Sequence, residues 1–163
     1  MKKQFLPLML LASAICSCSE KQPEATEPMI TKTEIQVENG QFTPEIMHRL
    51  GKVGDVQVSP DHSKILYGVT YTSIEQNKGN RELYLMNVDG SENVKITNTP
   101  RSESNARWLS DSQIIYMRSG KLYTATIEGA TLKNETEVAG AEGMESFELS
   151  PAGDKLMFIK SVK

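Results

Sequence analysis

Cysteine is almost missing from this 163-residue chain: Cys16 and Cys18 stand together near the N-terminus and none follows. That excludes a disulfide framework and a cysteine-based zinc site for the body of the fold. Histidine is confined to His48 and His62, and Trp108 is the single tryptophan. No apolar run approaches the roughly 20 residues that a membrane-crossing helix needs. Lys and Arg number 18 against 21 Asp and Glu, for a net charge of −3. They form no cluster, so no track exists for a nucleic-acid backbone and no nucleic-acid partner is expected. What is present, 38% hydrophobic and 24% charged residues, suits one ordinary globular domain.

The N-terminus reads as an export signal. In "MKKQFLPLMLLASAICSCSEKQPEATEP", Lys2 and Lys3 form a positive region and 5–15 a short apolar one. Two cleavage readings compete. "ASA" at 12–14 suits an ordinary signal peptidase. "ICSC" at 15–18 resembles the lipobox of bacterial lipoproteins, with Ile15 at −3, Ser17 at −1 and cysteine at +1. The second reading is preferred because a polar, Pro/Glu/Thr-rich stretch follows, as a tether requires. It makes 1–17 a lipoprotein-type signal peptide, Cys18 the lipidated first residue, and 18–41 a disordered tether. Acylation anchors a chain without spanning the bilayer. The expectation is an exported protein, in the periplasm or anchored to a membrane of a Gram-negative-type bacterium.

Residues 42–54 read as a short lead-in helix, "FTPEIMHRLG", with Thr43 as cap, Pro44 in the first turn and Gly51 at the end. Ile46, Met47 and Leu50 fall on one face, which predicts packing. From Asp55 the pattern changes to strands: "DVQVS", "KILYGVTY", "RELYLMNVD" and "ENVKITNT". Asp89-Gly90 marks a tight hairpin, and "SIEQNKGN" at 73–80 a longer polar loop.

The pattern then repeats. "VSPDHSKILY" (58–67) aligns with "WLSDSQIIY" (108–116) after one deletion, and with "LSPAGDKLMF" (149–158). Pro60, Ser110 and Pro151 take equivalent places. "KLYTATIEG" and "ETEVAGA" repeat "ELYLMNVDG" and "ENVKITN". Four strands recurring at about 40–45 residues signal a β-propeller of WD40-like type. The fold class expected is therefore all-β: a partial β-propeller of four-stranded antiparallel blades, preceded by a short helix. Blades cover 55–99 and 106–141, with two strands of a third from 145, so 55–163 is an incomplete propeller. Because closed rings take about 4–8 blades, the chain reads as the front of something longer, with completion by oligomerisation as the other reading.

The recurrent turn has a structural explanation. Pro60 presets φ, and Asp61 can bond its own backbone two residues on. Asp61 and Asp111 are thus read as architectural, and the apolar "KILYGV" after the turn as a strand buried on both faces. Gly51-Lys52 precedes Val53, so it is no phosphate loop. "GAEG" at 140–143 reads as a loop between blades. Asn134-Glu135-Thr136 matches a glycosylation sequon in a chain whose leader is bacterial. Trp108 reads as a core anchor. "PRSESNARW" (100–108) reads as a solvated inter-blade loop, in which Arg101 and Glu103 are the residues to consider for substrate contact. No cofactor, metal or catalytic residue is assigned.

The "SPDG"-like turn and the "LYLMNVDGSENVKIT" hairpin resemble repeats of TolB-type and prolyl-oligopeptidase-type propellers. "FTPEIMHRLGKVGDVQVSPD" followed by "ELYLMNVDGSENVKITNTPRSESNARW" resembles the N-terminal region of bacterial prolyl-oligopeptidase-type serine peptidases, the dipeptidyl-peptidase and acylaminoacyl-peptidase relatives. That resemblance implies a propeller gating short peptides to an α/β-hydrolase domain whose serine sits in Gly-x-Ser-x-Gly, with Asp and His after it. This sequence has no Gly-x-Ser-x-Gly, and neither His48 nor His62 follows a candidate serine of that kind. The resemblance therefore implies a hydrolase domain outside this sequence. The expected partners are short peptides through that domain, a membrane through the lipid anchor, and proteins at the propeller faces. The alternative is a non-catalytic TolB-like propeller that binds protein partners in the cell envelope.

Overall fold

The computed structural model describes residues 28–37 and 39–161; the signal peptide and Cys18 lie outside them. Helix α1 (Pro44–Arg49) forms because Pro44 sits in its first turn and Thr43 Oγ1 accepts from Ile46 N at 3.4 Å. At six residues the helix has under two turns, and it buries none of them. Met47 and Leu50 stay largely exposed, so the packing face expected of Ile46, Met47 and Leu50 is not made.

Ten strands follow. β1 (Lys52–Val58), β2 (Lys64–Ser73), β3 (Lys78–Asn87) and β4 (Val94–Lys95) form one antiparallel sheet in that order. β5 (Glu103–Trp108), β6 (Gln113–Arg118), β7 (Lys121–Glu128) and β8 (Thr131–Glu137) form a second. β9 (Met144–Leu149) and β10 (Leu156–Lys160) form a two-stranded third. Three local expectations are corrected. The loop at 73–80 shrinks to a turn, because Lys78, Gly79 and Asn80 pair with Ser73, Thr72 and Tyr71 while Asn77 takes the left-handed φ of 49°. β4 is only two residues long; beyond it the Thr97 hydroxyl, not a backbone carbonyl, accepts from Leu83 N at 2.8 Å. The polar stretch 100–108 is a loop only as far as Ser102, after which β5 begins.

Pairing register shows the repeat to be structural. Val58 pairs with Ile65, Trp108 with Ile114 and Leu149 with Leu156. Two residues beyond Ile65 and Ile114, Tyr67 pairs and stacks with Tyr84 at 5.5 Å, as Tyr116 does with Tyr123 at 6.0 Å. Each first strand of the two full sheets carries a bulge, at Asp55 and at Asn105, both with φ of 53°. Asp and Asn tolerate that left-handed conformation better than other side-chained residues.

The turn that closes each first hairpin follows from serine more than from proline. Ser59 N donates to Lys64 O at 2.9 Å, and Ser59 Oγ accepts from Lys64 N at the same distance. Ser150 and Lys155 repeat this at 2.9 and 3.1 Å. Asp61 braces the first copy, accepting from Ser59 Oγ at 2.6 Å and from Ser63 N at 3.0 Å. In the shortened second copy Ser110 Oγ accepts from Gln113 N at 3.1 Å, the role that Ser59 and Ser150 play in the other two.

Burial explains why the second strands are apolar throughout. Along β6, Ile114 and Tyr116 enter a core shared with Leu66, Leu83 and Leu85 of the first sheet. Ile115 and Met117, on the other face, enter a core with Met144 and Phe147 of the third. The second sheet is therefore sandwiched, and a strand alternating between two cores has no polar face to show. The outermost equivalents lack such cover. Val56, which matches the fully buried Ala106, is 56% exposed, and Met157, which matches Leu66, is 67% exposed.

Candidate functional site

The three first strands lie together: β1 against β5, and β5 against β9. Where their following turns converge they enclose a cleft of about 490 Å³, lined among others by Gln57, Pro60, Arg107, Trp108, Glu148 and Pro151. The bulges stitch the strands. Asp55 Oδ2 accepts from Asn105 N at 3.1 Å, and Asn105 Nδ2 in turn donates to Phe147 O at 2.6 Å. Arg107 Nη2 lies 3.1 Å from Glu148 Oε1, and Trp108 Nε1 donates to Gln57 O at 3.4 Å. Arg81 reaches Asp55 at 2.9 Å by lying across the two glycines of a cross-strand pair, Gly54 and Gly68. A Cβ on Gly68 would meet Arg81 Nε at 2.2 Å. The cleft thus offers an aromatic ring, a guanidinium, a carboxylate and amide groups, the chemistry of binding a polar extended ligand.

A second constellation is buried between the first two sheets. Glu82 and Glu103 are 2% and 0% exposed, which charged side chains tolerate only when partnered. Glu82 accepts from Thr97 Oγ1 at 2.7 Å, Thr99 N at 3.1 Å and Asn80 Nδ2 at 3.2 Å. Glu103 Oε1 lies 2.7 Å from Thr99 Oγ1 and 3.7 Å from Arg118 Nη1, while its Oε2 has no hydrogen-bond partner. Burial pushes the Glu103 carboxyl up, and Glu82 adds to this against the pull of Thr99, Thr97 and Arg118. Arg118 is bound to Glu135 at 2.5 and 3.2 Å and lies 4.4 Å from the Tyr123 ring centre; the Glu135 hydrogen bond raises its pKa. Glu135 also accepts from the buried Tyr116 hydroxyl. Burial raises the Glu135 carboxyl, but the bonds from Arg118 and Tyr116 outweigh it and hold it below the usual range.

The residues singled out from sequence are scattered. His48 lies in α1 and His62 in the first turn, where it takes φ of 60°. Trp108 packs against the first core, as expected of an anchor, and also lines the cleft. Arg101 is exposed, donating to Ser119 Oγ at 3.2 Å. Glu103 is not the solvated loop residue that its polar neighbours suggested: it opens β5 and is fully buried. Asn134 is exposed in β8. Among the described residues no three His, Cys, Asp or Glu gather as metal ligands, and no helix is long and apolar enough to cross a membrane. Sequence reading missed Glu82, Asn105 and Arg107. Asn105 carried one signal, its match to Asp55 in the repeat.

No family model matches the chain. Over 125 residues it is 29% identical to dipeptidyl-peptidase 5 of Porphyromonas gingivalis, covering 75% of this chain and 18% of that protein. Over 136 residues it is 26% identical to dipeptidyl-peptidase 5 of Porphyromonas endodontalis, covering 80% and 19% respectively. The chain spans just under a fifth of the length of these curated relatives. The chain is thus distantly similar to part of these two dipeptidyl-peptidases, and its described residues form an all-β array of antiparallel sheets.

Proposed function

We propose that this chain forms the opening portion of a β-propeller in an exported prolyl-oligopeptidase-type serine peptidase, where it gates short peptides toward a hydrolase domain outside this sequence. The observation that carries the reading is β6, whose alternate residues feed two different cores. A sheet sandwiched between its own repeats, with all first strands on one side, packs as propeller blades do around an axis. The similarity to dipeptidyl-peptidase 5 supports the peptidase assignment, and the cleft at Arg107 and Trp108 supplies groups suited to a peptide backbone. Cys18 acylation would hold the assembly at a membrane through the tether that follows it.

The test is to read the coding frame past the Lys163 codon and assay the full product. Further repeats, then Gly-x-Ser-x-Gly followed by Asp and His, with release of dipeptides from a chromogenic substrate, are expected. A frame that adds repeats and no serine elbow would replace this reading with the non-catalytic TolB-like binding module. Incorporation of labelled palmitate, abolished by Cys18→Ala, tests the anchor separately.

A further inference from the structure

The segment that joins the first sheet to the second is held by two buried carboxylates, and its protons can be counted. Thr99 Oγ1 receives Arg101 N at 3.1 Å, and it lies 2.6 Å from Arg101 O and 2.7 Å from Glu103 Oε1. A hydroxyl owns one proton. Two short oxygen–oxygen contacts therefore need two protons, and Arg101 O brings none. If Glu103 were ionised, either it or the Arg101 carbonyl would face an oxygen lone pair at under 2.8 Å with no hydrogen between. A protonated Glu103 removes the conflict: Glu103 donates to Thr99, and Thr99 donates to Arg101 O.

We propose that Glu103 carries a proton in the folded chain and donates it to Thr99, making the connector between the first two sheets a latch that acid tightens and rising pH loosens. Two further features agree. Glu103 Oε2 is buried without a partner, a much smaller penalty for the carbonyl-like oxygen of a neutral acid than for half of a carboxylate. Glu82, whose two oxygens are occupied by three donors, is the better hydrogen-bonded of two neighbouring buried carboxyls, and its proximity disfavours a charge on Glu103.

The charged and titratable groups around Glu103 are Glu82 from β3, Arg101 from the connector, and Arg118 and Tyr116 from β6, with Glu135 of β8 behind Arg118. Arg118 is the cation paired with Glu103, at 3.7 Å, but its closest hydrogen bonds are spent on Glu135, and the exposed Arg101 guanidinium is turned to Ser119. Burial shifts Glu103 in the direction the proton count requires. A group kept neutral by folding contributes stability below its unfolded value and loses that contribution as pH rises through its folded value. Deprotonation would cost Thr99 one of its two bonds and leave a charge facing Glu82, so the sheet junction weakens toward neutral and alkaline pH.

The experiment is a carboxyl-carbon NMR titration of the full chain labelled at glutamate, with Glu103→Gln assigning the resonance. Glu103 is expected to keep a neutral-acid shift at pH values where exposed glutamates have ionised. In parallel, the wild-type thermal midpoint should fall from mildly acid to alkaline pH more than that of Glu103→Gln, whose amide still donates to Thr99. A Glu103 signal that ionises together with the exposed glutamates overturns the proposal, as do parallel midpoint profiles. Should the variant fail to fold, the residue can be assigned through its backbone and the wild-type titration alone decides.

Discussion

Phe147→Ala should detach the third sheet while leaving the first intact. Phe147 is 1% exposed and packs with Ile115, Met117, Leu122 and Met144, which makes it the largest side chain joining β9–β10 to the second sheet. Truncating a buried Phe to Ala costs about 3–5 kcal/mol. The other ties are individually weaker: the smaller buried Met144, the Asn105 bond to Phe147 O, the bonds from Gly143 N and Met144 N to Gly120 O, and the Arg107–Glu148 pair, which is exposed on its Glu side. Bonds of those kinds contribute roughly 0.5–1.5 and 0–1 kcal/mol. A two-stranded hairpin is marginal on its own, so the loss should appear as local opening and not as global unfolding. At about 1.4 kcal/mol per factor of ten, the opening equilibrium shifts by roughly two to three and a half orders of magnitude. Amide hydrogen exchange read by mass spectrometry would show it: peptides covering 144–160 should exchange that much faster, while those covering β2 and β3 keep their protection. If β2 and β3 lost protection equally, the array would open as one cooperative body and the reasoning would fail. If nothing sped up, Phe147 would not be what holds the hairpin.

Two other outcomes follow from single contacts. Gly68→Ala should destabilise by about 1–3 kcal/mol, because the new methyl displaces Arg81 and strands Asp55 beside it. In an Arg81→Ala background the same change should cost far less, a coupling read from a thermal double-mutant cycle. Ser59→Ala removes both the acceptor for Lys64 N and a donor to Asp61. Hydrogen bonds from Ser59 and Ser63 hold the Asp61 carboxyl at about 2, below its ordinary 3.8. Its contribution is therefore present above 3.8 and lost as pH falls through about 2. NMR titration should find Asp61 shifted upward in Ser59→Ala, and Asp61→Asn should flatten the acid limb of wild-type stability.

The sheets were legible in the sequence because alternation, β-branched residues and Asp89-Gly90 all act locally. The repeat was legible because Tyr67 and Tyr116, or Ser59 and Ser150, do the same work in each copy. The buried carboxylates were not, for a physical reason. Glu103 sits among Arg101, Ser102, Ser104 and Asn105, a composition that normally means solvent. Only the meeting of two sheets, distant in sequence, closes over it. Helix α1 failed in the opposite sense: Ile46, Met47 and Leu50 have the spacing of a packing face, and the six-residue helix does lie against β2, but only Ile46 is half-buried there while Met47 and Leu50 stay exposed. The cleft required the convergence of three strands some 40–50 residues apart, which no local pattern encodes.

The left-handed bulges at Asp55 and Asn105 carry a consequence for how such a chain can change length. Each lends its side chain to the sheet that comes after it, and neither reaches back. The junctions are therefore directional, like bricks with a peg on one side and a socket on the other. A deletion of one whole repeat still sets a peg against the first strand of a following sheet, although Asp55 needs an N–H there where Asn105 needs a carbonyl. A deletion of half a repeat brings two pegs, or two sockets, face to face. Growth or loss by complete units is thus the length variation that these junctions tolerate, and recombinants cut at the bulges should fold where those cut inside a sheet do not.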